Sequence, residues 1–119
     1  MSYLDELFSL KGKVAAVIGG SGVLGGAMAA GLAKAGAKVA ILGQTPEKIA
    51  ARVTAIKNEA GEALPVQCNA SEKLAVAAAL ETILSEWGQV DILINAVPVD
   101  AHREGSNRFG LLAQARSRA

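Results

Sequence analysis

Val14-Ala15-Ala16-Val17-Ile18 runs directly into Gly19-Gly20-Ser21-Gly22-Val23-Leu24-Gly25-Gly26, and an alanine-rich segment with Leu24, Met28 and Leu32 follows as far as Gly36. The apolar run reads as a strand, the glycines as a tight turn and the alanine-rich segment as a helix. A strand that feeds a glycine turn at a helix N-terminus is a site for phosphate. Glycine lets the backbone approach an anion closely, and the first helical N–H groups have no partner within the helix. The spacing fits GxxGxxG on Gly19, Gly22 and Gly25, and also GxGxxG on Gly20, Gly22 and Gly25. Either pattern is common in isolation, so its meaning rests on the strand before it and the helix after it.

Outward from this turn, strand-like runs begin near Val14, Val39, Leu64 and Val90, about every 25 residues, each gap holding one helix-like segment, which is the rhythm of an open parallel sheet. Gly36, Gly61 and Gly88 each fall just after a helical pattern, where a left-handed residue closes a helix. The second helix opens on Thr45-Pro46-Glu47, a capping hydroxyl, a proline and an acid, and its apolar side is Ile49, Val53, Ile56 and Ala60. The third is expected from Ser71, with a core stripe of Leu80, Ile83, Leu84 and Trp87. Asp91-Ile92-Leu93-Ile94-Asn95 is nearly all apolar, the pattern of a strand buried on both faces. Leu4, Leu7, Phe8 and Leu10 form a lead-in that packs at the sheet edge, and Lys11-Gly12-Lys13 turns into the first strand.

Composition narrows the class. The chain has 119 residues, enough for one domain, and an aliphatic core with only two Phe. A formal charge of +1 gives no basis for a nucleic acid or anionic membrane partner. The uncharged stretch from Val14 to Ala33 approaches the length of a membrane span, but six glycines at a strand-to-helix turn argue against one. The N-terminus has no basic start before an apolar run, so no secretory signal is expected. A single cysteine, Cys68, excludes an internal disulfide and fits a cytoplasmic location. Cys68 reads as a small buried hydrophobe, and His102 has no partners at metal-ligand spacing, so no metal site is expected.

Right-handed crossovers arrange the strands as 3-2-1-4 in an α/β, Rossmann-like doubly wound parallel sheet with helices on both faces. The order reverses between strands one and four, and a ligand crevice opens there at the C-terminal strand ends. The glycine turn, Gly43-Gln44, Cys68-Asn69 and Asn95-Ala96 all reach that edge, which makes the expected ligand a dinucleotide. Asn95 has a second reading as a residue that only fixes the strand end, and Ser21 as one that only tolerates the turn. Residues 1–95 are therefore read as one dinucleotide-binding unit. Residues 96–119 change character. All seven lysines lie at or before Lys73, whereas Arg103, Arg108, Arg116 and Arg118 crowd the end. The tail is expected to be weakly structured, with its arginines solvated and a short helix over Leu111 to Ala115 as the alternative. The abrupt lysine-to-arginine switch suggests an out-of-frame segment.

Gly19-x-x-Gly22-x-x-Gly25 after the first strand, Asn69 after the third and Asp91-Ile92-Leu93-Ile94-Asn95 as the fourth together resemble the short-chain dehydrogenase/reductase family. Leu7 to Val14 and the phrase Gly19 to Ala29 look like its sugar-acid branch, the mannonate oxidoreductase/fructuronate reductase and gluconate 5-dehydrogenase-like members. The resemblance covers residues 4–95. It implies an NAD(P)-dependent oxidoreductase acting on an alcohol, ketone or sugar acid, with cofactor contacts from Gly19, Ser21, Gly22, Leu24, Gly25, Gln44, Asn69, Ala70, Asn95 and Ala96. It implies homo-oligomers for full-length relatives and leaves this chain's own assembly open. Several positions depart from the family pattern: Ile18 replaces a usual Thr, Gly22 stands one residue before the more common middle glycine, Asn69 replaces Asp, and Asn95-Ala96-Val97-Pro98 lacks the usual closing glycine. The family's catalytic Ser and Tyr-x-x-x-Lys lie beyond the fourth strand, so the resemblance implies that residues 1–95 are a truncated, NAD(P)-binding Rossmann half-domain. Here Tyr3 is the only tyrosine and Leu7 stands four residues on, so no catalytic residue is assigned and the chain alone is expected to be inactive. A non-catalytic dinucleotide-binding module and a non-functional truncated fragment are the alternatives. An acid at the end of strand two would select NAD; Gly43-Gln44 offers none, which favours NADP over NAD, with Lys48 and Thr45 as candidate phosphate partners.

Overall fold

A computed structural model describes residues 9–97. The elements run β1 (Val14–Ile18), α1 (Val23–Lys34), β2 (Lys38–Gly43), α2 (Pro46–Asn58), β3 (Glu62–Gln67), α3 (Lys73–Trp87) and β4 (Ile92–Asn95). All strand pairs are parallel and the order is β3-β2-β1-β4, as the sequence implies. In register, Ile18 lies beside Leu42 on one side and Asn95 on the other, and Gly43 lies beside Gln67. The C-terminal ends of the four strands are thereby brought to one edge.

Alternation along the strands divides the core in two. Val14, Ala16, Ile18, Ala40 and Leu42 face α3, where Val76, Ala79, Leu80 and Ile83 cover them. Ala15, Val17, Val39 and Ile41 face α1 and α2, where Ala29, Ile49, Val53 and Ile56 cover them. β1 is buried along its whole length, as a central parallel strand with helices on both faces must be. Leu10 packs on the α1–α2 side and its N–H donates to Ala35 O at 2.7 Å. The rest of the lead-in and the tail from Pro98, including the Leu111–Ala115 segment, lie outside the described residues.

Several local expectations are corrected. For α1 the sequence reading assigns no buried face; Leu32 packs part-buried against the core. Gly25, Gly26 and Ala29 are the buried residues of the helix, and Leu24 is 66% exposed. Small residues turn inward because the helix starts almost in contact with the β1 turn. α2 is closed not by a left-handed Gly61 but by Ala60, at φ 65°, and Ala60 is exposed rather than part of the apolar side. Gly61 is instead required for space: a Cβ there would lie 2.7 Å from Ile56 Cγ2. Thr45 is the N-cap of α2, but its hydroxyl makes no capping bond. α3 begins at Lys73 rather than Ser71, because Ser71 is held by Asn69: the Asn69 Oδ1 accepts from Ser71 N at 3.1 Å and Ser71 Oγ at 2.7 Å. β4 starts at Ile92 and is half-buried throughout, so it is an edge strand among the described residues and not one covered on both faces.

Asp91, just before β4, ties the opposite edge. Its Oδ2 accepts from Val14 N at 2.8 Å and from Gln89 Nε2 at 2.6 Å, and its own N–H donates to Val14 O at 2.8 Å. The start of β1 is thus pinned to the start of β4, which fixes the register that places Ile18 against Asn95.

Candidate functional site

The glycine turn is built by backbone contacts. Gly19 has φ +82°, a conformation that strongly favours glycine. Its N–H donates to Leu42 O at 2.8 Å and its carbonyl accepts from Gly22 N at 3.1 Å, so the turn is anchored to β2 and folded on itself. Gly25, one turn into α1, lies over Gly19. A Cβ at residue 25 would overlap the Gly19 carbonyl and come within 3.1 Å of Ala96 Cβ. The two glycines therefore let helix, turn and β4 end converge.

At the mouth of this convergence the amides of Ser21, Val23, Leu24 and Gly25 have no protein acceptor among the described residues. The first internal helical bond is Gly26 N to Gly22 O at 2.8 Å. Unpartnered amides at the positive end of a helix, over a surface kept bare by glycine, fit a bound phosphate. Ser21 is half-buried and projects toward β2: a Cβ on Gly43 would lie 2.8 Å from Ser21 Oγ.

The adjoining strand ends form the rest of the crevice. Gln44 Nε2 donates to Asn69 Oδ1 at 3.1 Å, and Gln67 Nε2 to Gln44 O at 3.3 Å. Asn69 Oδ1 thus accepts three bonds, from Gln44, Ser71 N and Ser71 Oγ, and its amide nitrogen is left to donate. An open cleft of about 320 Å³ lies here, lined by Gln44, Gln67, Cys68, Asn69, Glu72 and Ala75. On the other side of the turn, Ala96 N donates to Ile18 O at 2.8 Å and Asn95 Oδ1 accepts from Val97 N at 3.1 Å. The Asn95 side chain thus shapes the backbone at the strand end. Val97 follows directly: its Cγ2 would lie 3.1 Å from a Cβ on Gly19.

All the residues expected at the site reach this one edge, in three groups. Gly19, Ser21, Gly22, Leu24 and Gly25 form the centre, Gln44, Asn69 and Ala70 one flank, and Asn95 and Ala96 the other. Cys68 is 5% exposed at the base of the cleft; burial, with the Glu72 carboxylate as the lesser cause, pushes its thiol pKa up, which disfavours the thiolate. No group of three or more His, Cys, Asp or Glu that could hold a metal occurs among the described residues, and His102 lies outside them. No helix among the described residues is long and apolar enough to cross a membrane. Sequence reading missed Arg52, whose Nη2 donates to Gly22 O at 3.3 Å. It lies 30 positions from Gly22, and no local pattern signals the contact.

Comparison with known proteins agrees with this architecture. The family model described as short chain dehydrogenase matches residues 13–113. The chain is 46% identical over 87 residues to an uncharacterized oxidoreductase, UxuB, of Bacillus subtilis, a match covering 73% of this chain and 31% of that protein. It is 38% identical over 91 residues to the 2-dehydro-3-deoxy-D-gluconate 5-dehydrogenase of Formosa agariphila, covering 76% of this chain and 34% of that one. Among solved structures, the L-sorbose reductase of Gluconobacter frateurii, complexed with NADPH and L-sorbose, superposes with a TM-score of 0.74 at 26% identity, covering 93% of this chain and 46% of that one. The chain thus spans about a third of the length of the curated relatives it matches.

Proposed function

We propose, for a chain that belongs to the short-chain dehydrogenase family, that it supplies the NAD(P)-binding part of an oxidoreductase acting on an alcohol, ketone or sugar acid. The observation that carries this is the convergence of four separate chain segments on one edge, with free amides at its centre and polar side chains on one flank. In this reading the amides at Leu24 and Gly25 face the pyrophosphate, and Gly19, Gly22 and Gly25 keep its path clear. Gln44 and Ser21 meet the adenosine ribose. Asn69 offers its amide nitrogen and Ala70 its backbone to the adenine, where a carboxylate would offer acceptors instead. Asn95 and Ala96 line the side toward the nicotinamide. Bound NAD(P) supplies a hydride donor or acceptor at its nicotinamide ring. The sugar-acid class is favoured by the likeness to the gluconate 5-dehydrogenase of Formosa agariphila.

The chain contains no Tyr-x-x-x-Lys, since Tyr3 is its only tyrosine. This favours a second reading, a dinucleotide-binding module without chemistry of its own. Titration of the 119-residue chain with NADH and NADPH, followed by nicotinamide fluorescence, tests the shared premise. Binding is expected, with no turnover of sugar alcohols or sugar acids. Absence of binding to both dinucleotides refutes both readings and favours a fragment without function. Turnover by this chain alone refutes the second reading.

A further inference from the structure

On one side of the sheet α1 rests on β1 and β2, and β4 lies beyond it at the edge. Ile92 and Ile94 of β4 face that side and are only half-buried. The flank of α1 toward them is apolar. Gly25 and Ala29 turn inward to the sheet, and Gly26, Ala30 and Ala33 turn toward Arg52, Ala55 and Ile56 of α2. At about 100° per residue, Leu24, Met28 and Leu32 then stand on the opposite flank, the one toward β4. Leu24 is 66% and Met28 37% exposed, and Leu32 is part-buried. The floor of Ile92 and Ile94 and the wall of Met28 and Leu32 make an apolar trough. Contiguous exposed apolar surface of this kind marks a place where something packs.

The path of the chain says what packs there. The Leu10 N–H donates to Ala35 O at 2.7 Å at the end of α1, and the Leu10 side chain joins the same core cluster as Leu32, Ile92 and Ile94. Two residues on, Gly12 O accepts from Gln89 Nε2 at 2.8 Å, just before β4. Residues 9–12 thus cross from the end of α1 to the start of β4, and the segment before Ser9 departs from the foot of the trough. That segment carries Leu4, Leu7 and Phe8 at helical spacing, with Asp5 and Glu6 off their face. Met28 stands about 10 Å along α1 from Ala35. Leu4 stands about 9 Å from Leu10 if the segment is helical and about 20 Å if it is extended, so its apolar face reaches Met28 either way. A tethered segment also meets the trough at a high effective concentration, ahead of any second copy of the chain.

We propose that the lead-in, residues 1–8, docks in the trough between α1 and β4, with Phe8 against Leu32 and Ile92 and with Leu4 and Leu7 against Met28. Asp5 and Glu6 stay in water. The lead-in then shields one face of the edge strand, and Leu24 stays open beside the glycine turn. The proposal goes beyond the reading of the crevice and stands whether or not a dinucleotide binds.

The test is nuclear magnetic resonance on the wild-type 119-residue chain, whose only phenylalanines are Phe8 and Phe109. Nuclear Overhauser contacts are expected from the Leu32 methyls to the Phe8 ring and from the Met28 methyl to Leu4 or Leu7. Contacts to Phe109 instead assign the trough to the C-terminal tail, and contacts between differently labelled chains assign it to a second copy. Either result overturns the proposal, as does a chain with none of these contacts. Disulfide trapping gives an independent reading. L7C/M28C should cross-link within one chain at least about 10-fold faster than L7C/L74C, because docking raises the effective concentration of one pair only. Leu74 suits the control because it is 86% exposed on α3, across the sheet. Equal rates, or cross-links formed mainly between chains, overturn the proposal. If a cysteine variant does not fold, the wild-type contacts still decide.

Discussion

Replacing Gly25 with alanine tests the geometry on which the crevice depends. The added Cβ would overlap the Gly19 carbonyl oxygen and lie 2.7 Å from the Gly19 carbonyl carbon. Carbon atoms normally pack at about 3.5–4.0 Å, so roughly 1 Å of separation must be recovered by moving backbone. Gly19 cannot yield easily. Its N–H is bonded to Leu42 O, its carbonyl accepts from Gly22 N, and its φ is +82°. Forcing a methyl group into a packed site costs about 1–3 kcal/mol, and overlap with backbone rather than a side-chain tip places this case at the upper end. Alanine returns about 1 kcal/mol through its higher helix propensity, leaving an expected net loss of about 2 kcal/mol. Gly31 is the control in the same helix. It is exposed, and a Cβ there meets nothing within 4 Å. Gly31→Ala should therefore stabilise by about 0.5–1 kcal/mol. Urea unfolding followed by far-ultraviolet circular dichroism would measure both variants against wild type at a common slope. The same chemical change is expected to have opposite signs at two positions of one helix. A Gly25→Ala variant within about 0.5 kcal/mol of wild type would refute the close approach of α1 to the turn.

Asp91→Ala removes the acceptor for Val14 N and Gln89 Nε2. It should cost about 1–3 kcal/mol in the same unfolding assay, and a change below about 0.5 kcal/mol would show that the β1–β4 tie is not stabilising. Cys68 should react slowly with a disulfide reagent near neutral pH in the folded chain and quickly in denaturant. Because burial raises its folded pKa, any contribution it makes to stability is fully present below the unfolded value and is lost as pH rises from there toward the raised folded value. Equal labelling rates in the folded and unfolded chain would contradict its burial.

The strand-turn-helix reading of Val14 to Gly36, the four-strand rhythm and the 3-2-1-4 order were legible because each depends on neighbours in the chain. Apolar runs, glycine stops and right-handed crossovers act over a few residues or a single connection. Errors arose where tertiary contacts override that local logic. Gly61 looks like the left-handed stop of α2, yet Ala60 takes the positive φ, and a Cβ at Gly61 would lie 2.7 Å from Ile56 Cγ2. Ser71 looks like a helix start, but the Asn69 side chain captures it and delays α3 to Lys73.

The amino-acid sequence by itself therefore determined the architecture, the edge at which the crevice opens and the family to which the chain belongs. Only the tertiary structure decided which side-chain contacts form at and beside that crevice. The Asn69 oxygen is saturated by Gln44 and Ser71, and the Arg52 guanidinium is carried from α2 onto the turn at Gly22. Backbone pattern is set by forces between residues adjacent in sequence. The reach of a long side chain across two packed helices depends on their mutual placement, which no local window of sequence contains.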